Sequence, residues 1–235
     1  MGQSGENDSS NQLEISINSD RSLYLHYADL EALQQQQGAW FHTGTIPEEH
    51  ARAERFIKPE HQQRFLAARY FLRQVLAEYT GEKAPDIKIA FTEQEKPYLA
   101  DHALPFNLSH SGQYAVVGVC REGDLGVDIE TRSSLKTAIQ VAPRIMTNDE
   151  HEAWEAVPES AKMATFIQYW TLKEAILKAH GDGLLQDPRG IGIDLEGSEP
   201  RISFLKEVFG KQAWWRVGFA GPPAPFPRIA WALRI

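Results

Sequence analysis

Apolar residues recur at helical spacing between Pro59 and Tyr79, where Phe65, Leu66, Leu72, Val75, Leu76 and Tyr79 share a face. Gly81 follows as a C-terminal stop, so the spacing predicts a helix over 59–79. A second long helix is expected from about Ser160 to His180, ended by Gly181. Thr147 with Glu150 three residues later is a capping-box pattern, starting a helix near Asn148. Elsewhere the period shortens. Ile87–Thr92 and Leu104–Leu108 read as strands, with the chain turning around Pro97 between them. Tyr114–Cys120 reads as a nearly continuous apolar strand, and Leu125–Glu130 as a second one. The turn chemistry of Arg121-Glu122-Gly123-Asp124 between them predicts a hairpin. Ile202–Phe204, Trp214–Phe219 and Ile229–Leu233 are the late strands, with a proline-stiffened loop, GPPAPFP, at 221–227. Residues 1–20 hold few apolar side chains and read as a flexible tail; Gln34–Gln37 reads as a loop or an exposed helix end. Each half offers one long helix and several strands, which fits an α+β fold rather than alternating βαβ units.

Composition narrows the class. Of 235 residues, 42% are apolar and six are Trp, enough to bury a core and to rule out a disordered chain. A net charge of −8 argues against general nucleic-acid binding, whose footprint is excess Lys and Arg. It leaves room for a small polyanion, which needs only a local cationic patch. The single cysteine, Cys120, excludes an intramolecular disulfide framework and a Cys-based zinc cluster. The longest apolar run is far short of the ~20 residues that span a bilayer, and the polar N-terminus lacks the pattern of a secretory signal. A cytoplasmic protein acting without a membrane is expected.

Four stretches could carry chemistry. In Gly126-Val127-Asp128-Ile129-Glu130, strand alternation puts Asp128 and Glu130 on one face, roughly 7 Å apart at ~3.3 Å per residue. Both could close on one hard cation such as Mg²⁺; the plain alternative is a polar face on a half-solvated hairpin. In Trp170–Ala179, Trp170, Glu174 and Lys178 stack at helical spacing. They make either a solvated Glu–Lys pair or a third carboxylate with a lysine ready for a phosphate. Phe106-Asn107-Leu108-Ser109-His110-Ser111-Gly112 places a hydroxyl and an imidazole at a turn, although adjacent strand residues cannot act as a nucleophile–base pair. Finally, Arg52, Arg55, Lys58, Arg64, Arg69 and Arg73 stand against only Glu54 and Glu60, in an otherwise acidic chain. Such a run is usually a solvated face, but Arg suits phosphate recognition through its planar fork of donors.

Taken together, the motifs resemble the Sfp-type 4′-phosphopantetheinyl transferases. Their hallmarks match LGVDIE at 125–130, WTLKEAILKA at 170–179 and FNLSHS at 106–111, in the family's order. The Trp and Ala of the second motif resemble one branch of the family. PEEHARAERF at 47–56, RFLAARYFLR at 64–73 and EKPYL at 95–99 resemble its coenzyme-binding half.

The resemblance implies two similar α+β halves, a pseudo-dimer with boundary near Leu125 (21–125 and 126–235), and coenzyme A in the cleft between them. It implies transfer of the phosphopantetheine arm of coenzyme A to a serine of an apo acyl or peptidyl carrier protein, releasing 3′,5′-ADP, by a monomeric enzyme. By matching positions, Asp128, Glu130 and Glu174 are the Mg²⁺ ligands, and Glu174 is also the base. Lys178 stabilises the pyrophosphate or the leaving group. Ser109, His110, Lys96 and Pro97 are nucleotide and phosphate contacts, and Asp128 also faces the coenzyme. Arg52 reads the 3′-phosphate. A neighbouring basic position of some members is Glu49 here, leaving Arg55, Arg64 or Arg69 to compensate. Ile129 replaces a polar residue near the metal in some members, so water would fill that coordination place. There are two other readings: a Mg²⁺-dependent phosphodiesterase using the same acids with water as nucleophile, and a non-catalytic carrier-protein-binding module that has kept the fold.

Overall fold

The computed structural model describes residues 10–18, 21–37, 43–131, 134–181, 186–211, 214–222 and 227–235. The chain runs β1 (Ser10–Asn18), β2 (Arg21–Asp29), α1 (Leu30–Gln37), α2 (Pro47–Ala53), α3 (Pro59–Thr80), β3 (Ile89–Phe91), β4 (Pro97–Leu99), β5 (Phe106–Ser111) and β6 (Tyr114–Cys120). It continues as β7 (Asp124–Ile129), α4 (Leu135–Ile145), α5 (Asn148–Ala156), α6 (Glu159–His180), β8 (Ile191–Asp194), β9 (Arg201–Phe204), β10 (Trp215–Ala220) and β11 (Ile229–Arg234). Both long helices end as their sequence signals, on left-handed glycines: Gly81 at φ 74° and Gly181 at φ 99°. The capping box at α5 also forms, with Thr147 and Glu150 bonding each other's backbone N–H.

Strand alternation explains the layering. One antiparallel sheet has the order β1-β2-β6-β5 and a second the order β10-β11-β7. Ala115, Val117 and Val119 of β6 pack with Leu72 and Val75 of α3, while Val116 and Cys120 face the other sheet. Likewise Ala230 and Ala232 of β11 join Leu172 and Ile176 of α6, while Ile229, Trp231 and Leu233 meet Leu25 and Val127 between the sheets. The layers therefore run helix, sheet, sheet, helix. Each fully buried leucine of these cores contributes about 1.5–3 kcal/mol relative to exposure.

Several sequence expectations change. Leu125–Glu130 is not the second arm of a hairpin: β6 already has β2 and β5 on its two sides, and β7 joins the other sheet beside β11. The turn residues carry the chain across, with Gly123 at φ 96° packed against the Arg234 carbonyl and Asp124 held by Arg234 at 2.6 Å. Residues 10–18, expected within a flexible tail, form β1 on the sheet edge, pairing Leu13 with Leu25 and Ile15 with Leu23. Residues 1–9 of that tail, and 223–226 of the proline loop, lie outside the described residues. Pro97 begins a strand instead of marking a turn. The reversal falls at Thr92–Lys96, where the Thr92 carbonyl accepts from Glu95 N–H and Glu95 takes φ 62°. β5 starts two residues later than expected and runs on through Ser111, turning at Gly112 (φ 59°). Of the two options, Gln34–Gln37 is the helix end: the segment closes α1, with Gln35 exposed and Gln34 half-buried. The elements β2, α2, α4 and β8 have no counterpart among the expectations.

Cys120 sits between the sheets, 3% exposed, and burial pushes its thiol up to about 12. The shift favours the neutral thiol. Its stabilisation is complete below the ordinary thiol range and is lost as pH rises from about 9 to about 12. At pH 8 a disulfide reagent should modify native Cys120 roughly a thousand-fold more slowly than the urea-unfolded chain, as the thiolate fractions dictate. Comparable rates in the two states would show that the thiol is accessible and ionised.

Candidate active site

Helix α6 crosses β7 at unusually close range. A Cβ on Gly126 would stand 2.0 Å from the Ala175 carbonyl oxygen and 2.5 Å from the Ala179 nitrogen, so only glycine admits the helix. The next residue on the same face of β7, Asp128, is thereby set under α6 and is 4% exposed. Lys178 reaches down from the helix to Asp128 Oδ1 at 2.6 Å, and also to Ser109 Oγ at 3.1 Å and the Val127 carbonyl at 3.2 Å. Ser109 Oγ donates to the same Oδ1 at 2.8 Å. The other carboxylate oxygen, Asp128 Oδ2, is buried and has no hydrogen-bond partner among the described residues.

Glu130 lies just past β7, accepting from Ser111 Oγ at 2.7 Å and from the Trp170 side chain. Burial, and after it the Asp128 charge, holds its carboxyl above the usual carboxylate range, against the pull of Ser111. Glu174 is raised too, first by burial and then by Asp128 and Glu130, with Lys178 opposing. The three acids thus sense one another across the gap between strand and helix. Among the described residues, no three such groups already stand close enough to share one metal ion. The solvated Glu–Lys pair is not what forms: Lys178 bonds Asp128 instead.

The remaining expected residues spread along the same seam. His110 follows Ser109 on β5 with its side chain exposed, and partial desolvation by the surrounding protein, then the Lys178 charge, hold its imidazole below the usual range. Lys96 crosses to donate to the Ala179 carbonyl at 2.9 Å, where an ammonium satisfies a last-turn acceptor and complements the helix dipole. Burial lowers its ammonium, with Asp124 pulling back. Lys96 and Pro97 border a cavity of about 510 Å³ with Leu104, Phe106 and Asp124. Arg52 is exposed on α2, its guanidinium 5.6 Å from the Phe65 ring centroid, and bonds to none of the Asp128 cluster.

The cationic run is not a single solvated face. Buried Glu49 binds Arg69 at 2.7 Å and Arg73 at 2.9 Å, and Arg73 further donates to the Ala84 and Ile87 carbonyls. Arg64 pairs with Glu31. Of the three candidates to compensate for Glu49, Arg64 and Arg69 hold carboxylates, and Arg55 bonds none among the described residues. Sequence reasoning passed over Asn107 and Ser111, although the period-2 spacing of Asn107, Ser109 and Ser111 placed all three on one strand face.

The chain is similar to known proteins over both sheets. A model of the 4′-phosphopantetheinyl transferase superfamily matches residues 124–226, and one for the N-terminal part of 4′-phosphopantetheinyl transferases matches 35–121. The chain is 38% identical over 157 residues to the 4′-phosphopantetheinyl transferase HetI of Nostoc, covering 65% of this chain and 66% of that one. A putative 4′-phosphopantetheinyl transferase of Synechocystis is 35% identical over 58% of this chain and 57% of its own. The Sfp transferase of Bacillus subtilis is 27% identical over 69% of this chain and 71% of its own. With both models matching in chain order on either side of the crossover at 121–123, the chain belongs to the 4′-phosphopantetheinyl transferases of the Sfp type.

Proposed function

We propose that this protein transfers the 4′-phosphopantetheine arm of coenzyme A to a serine of an apo acyl or peptidyl carrier protein, as a monomer in the cytoplasm. The observation that carries the reading is the buried, unpartnered Asp128 Oδ2 beside Lys178, with Glu130 and Glu174 electrostatically coupled to it. A buried carboxylate oxygen without a partner is costly unless a ligand completes it. Asp128, Glu130 and Glu174 supply the hard oxygen donors that suit Mg²⁺, which keeps several waters and takes few carboxylates. When bound, that ion supplies positive charge against the oxygens of a diphosphate.

The chain's own groups do the rest. Lys178 meets phosphate oxygens across the seam, and His110 lies alongside. Arg52, exposed on α2, meets the 3′-phosphate, and Lys96 and Pro97 border the nucleotide side of the cleft. Glu174, held above the usual carboxylate range, takes the proton of the incoming serine hydroxyl. The serine oxygen forms its bond to the β-phosphorus as the bond to the bridging diphosphate oxygen breaks, and 3′,5′-ADP leaves with the electron pair. Among the described residues no helix is long and apolar enough to cross a membrane.

Incubation of the protein with apo carrier, coenzyme A and Mg²⁺ should shift the carrier's mass by one phosphopantetheine, and Asp128→Asn should abolish the shift with the fold intact. Phosphopantetheine released without carrier would instead support the water-using phosphodiesterase. Carrier binding without loading or coenzyme A binding would support the non-catalytic module.

A further inference from the structure

β5 and β7 are edge strands of different sheets, with no backbone ladder between them. They are laced together by side chains. Asn107, Ser109 and Ser111 alternate along β5, and each bonds the neighbouring strand or the residue just past it. Asn107 Oδ1 accepts from Val127 N–H at 2.9 Å, Ser109 Oγ donates to Asp128 Oδ1 at 2.8 Å, and Ser111 Oγ donates to Glu130 Oε2 at 2.7 Å. Lys178 donates to Ser109 Oγ at 3.1 Å, and Thr131 N–H donates to Ser111 Oγ at 3.1 Å. Ser111 Oγ also lies 3.1 Å from Thr131 Oγ1, but the charged carboxylate at 2.7 Å is the nearer and stronger acceptor, so each serine's own proton goes to its acid.

We propose that Ser109 and Ser111 are positioning residues that set the two carboxylates of β7 for cation binding. This rests on the metal-assisted reading above and gives the two serines a task distinct from touching coenzyme A. The reasoning is geometric. Residues two apart on a strand repeat at about 6.6 Å, so two serines on β5 match two acids two apart on the neighbouring chain. Each serine occupies one oxygen of its acid and fixes the rotamer. For Asp128 the consequence is visible: Oδ1 is filled by Ser109 and Lys178, and Oδ2 is left for a ligand. Without the hydroxyl, the carboxylate regains rotamers that point this oxygen elsewhere. Loss of such an outer partner of a ligand typically weakens metal affinity 10- to 100-fold.

The test is calorimetric titration of MgCl₂ into the protein saturated with coenzyme A, on parent, Ser109→Ala, Ser111→Ala, Ser109→Thr, Ser111→Thr and Asp128→Asn, with melting temperatures taken alongside. Ser109→Ala and Ser111→Ala should each bind Mg²⁺ about ten-fold more weakly or worse. Their turnover should recover toward the parent value at high Mg²⁺, and the threonine variants, which keep a hydroxyl, should restore much of the affinity. If Asp128→Asn loses Mg²⁺ while both alanine variants bind it like the parent, positioning by the serines is wrong and the metal reading stands. Equal weakening in threonine and alanine variants would also overturn it, because packing and not the hydroxyl would then be responsible. Parent-like Mg²⁺ binding by Asp128→Asn would remove the metal reading and this proposal together.

Discussion

Glu174→Gln is expected to keep coenzyme A binding and to lose turnover, with kcat falling by the ~10²–10⁴-fold typical of a missing general base. The substitution preserves size and one oxygen donor, so the gap between α6 and β7 stays filled. It removes a half-buried carboxylate with a raised affinity for protons, a property due first to burial and then to Asp128 and Glu130. Glu130 shares the raised affinity but is tied to Ser111, whereas among the described residues no hydrogen bond engages the Glu174 side chain. Calorimetry with coenzyme A and single-turnover loading of a carrier separate the two roles. Normal binding with slow loading places Glu174 in the proton transfer. Near-parent loading would assign that proton to another group.

Its neighbour in sequence should respond through stability. Lys173→Met is expected to cost about 3–5 kcal/mol, the penalty for leaving a buried charge without its partner. Lys173 is 2% exposed and its ammonium lies 2.7 Å from Glu150 Oε2, with further bonds to the Pro188 and Ile191 carbonyls at 3.0 and 2.6 Å. Burial lowers its proton affinity and Glu150 pulls it back. Glu150 in turn accepts from the backbone N–H groups of Thr147 and Ile193. The pair therefore joins α5, α6 and β8 at one buried point. A shift of roughly 6–20 °C in melting temperature follows from that cost for a chain of this length. The paired replacement Glu150→Leu with Lys173→Met should recover only part of it, because four backbone groups lose their partners as well. Urea unfolding of the parent and these two variants measures this; Lys173→Met within about 1 kcal/mol of the parent would mean that the pair carries no such weight.

The long helices were legible because their signals are local. Apolar spacing, capping residues and terminal glycines act within one element, and α3, α5 and α6 form close to where those signals fall. Tyr114–Cys120 was legible to the residue for the same reason. What the sequence withheld is which surfaces meet. Arg121–Asp124 has the chemistry of a hairpin turn, and nothing local reveals that both sides of β6 are already taken. β1 does alternate Leu13, Ile15 and Ile17, but that short strand signal sits in a run of Ser, Asn, Asp and Gln that reads as a tail. The acid face of β7 could be read by alternation, but its burial could not, since that depends on a helix arriving fifty residues later. Glu49 shows the same limit in reverse. It lies 20 and 24 residues before the arginines it neutralises, a spacing that no local pattern flags, so a phosphate patch was expected where part of the charge is spent internally.

The contact at Gly126 bears on how this enzyme can diversify. Because the helix backbone rests directly on the strand there, the width of the catalytic gap is fixed by main-chain atoms and is not open to gradual adjustment by side-chain size. Even one methyl group would lever α6 away and carry Glu174 and Lys178 out of register with Asp128. Under the proposed function, changes in which carriers are accepted must then accumulate away from this contact, in segments such as β4 and α2, whose exposed side chains can vary without moving the helix.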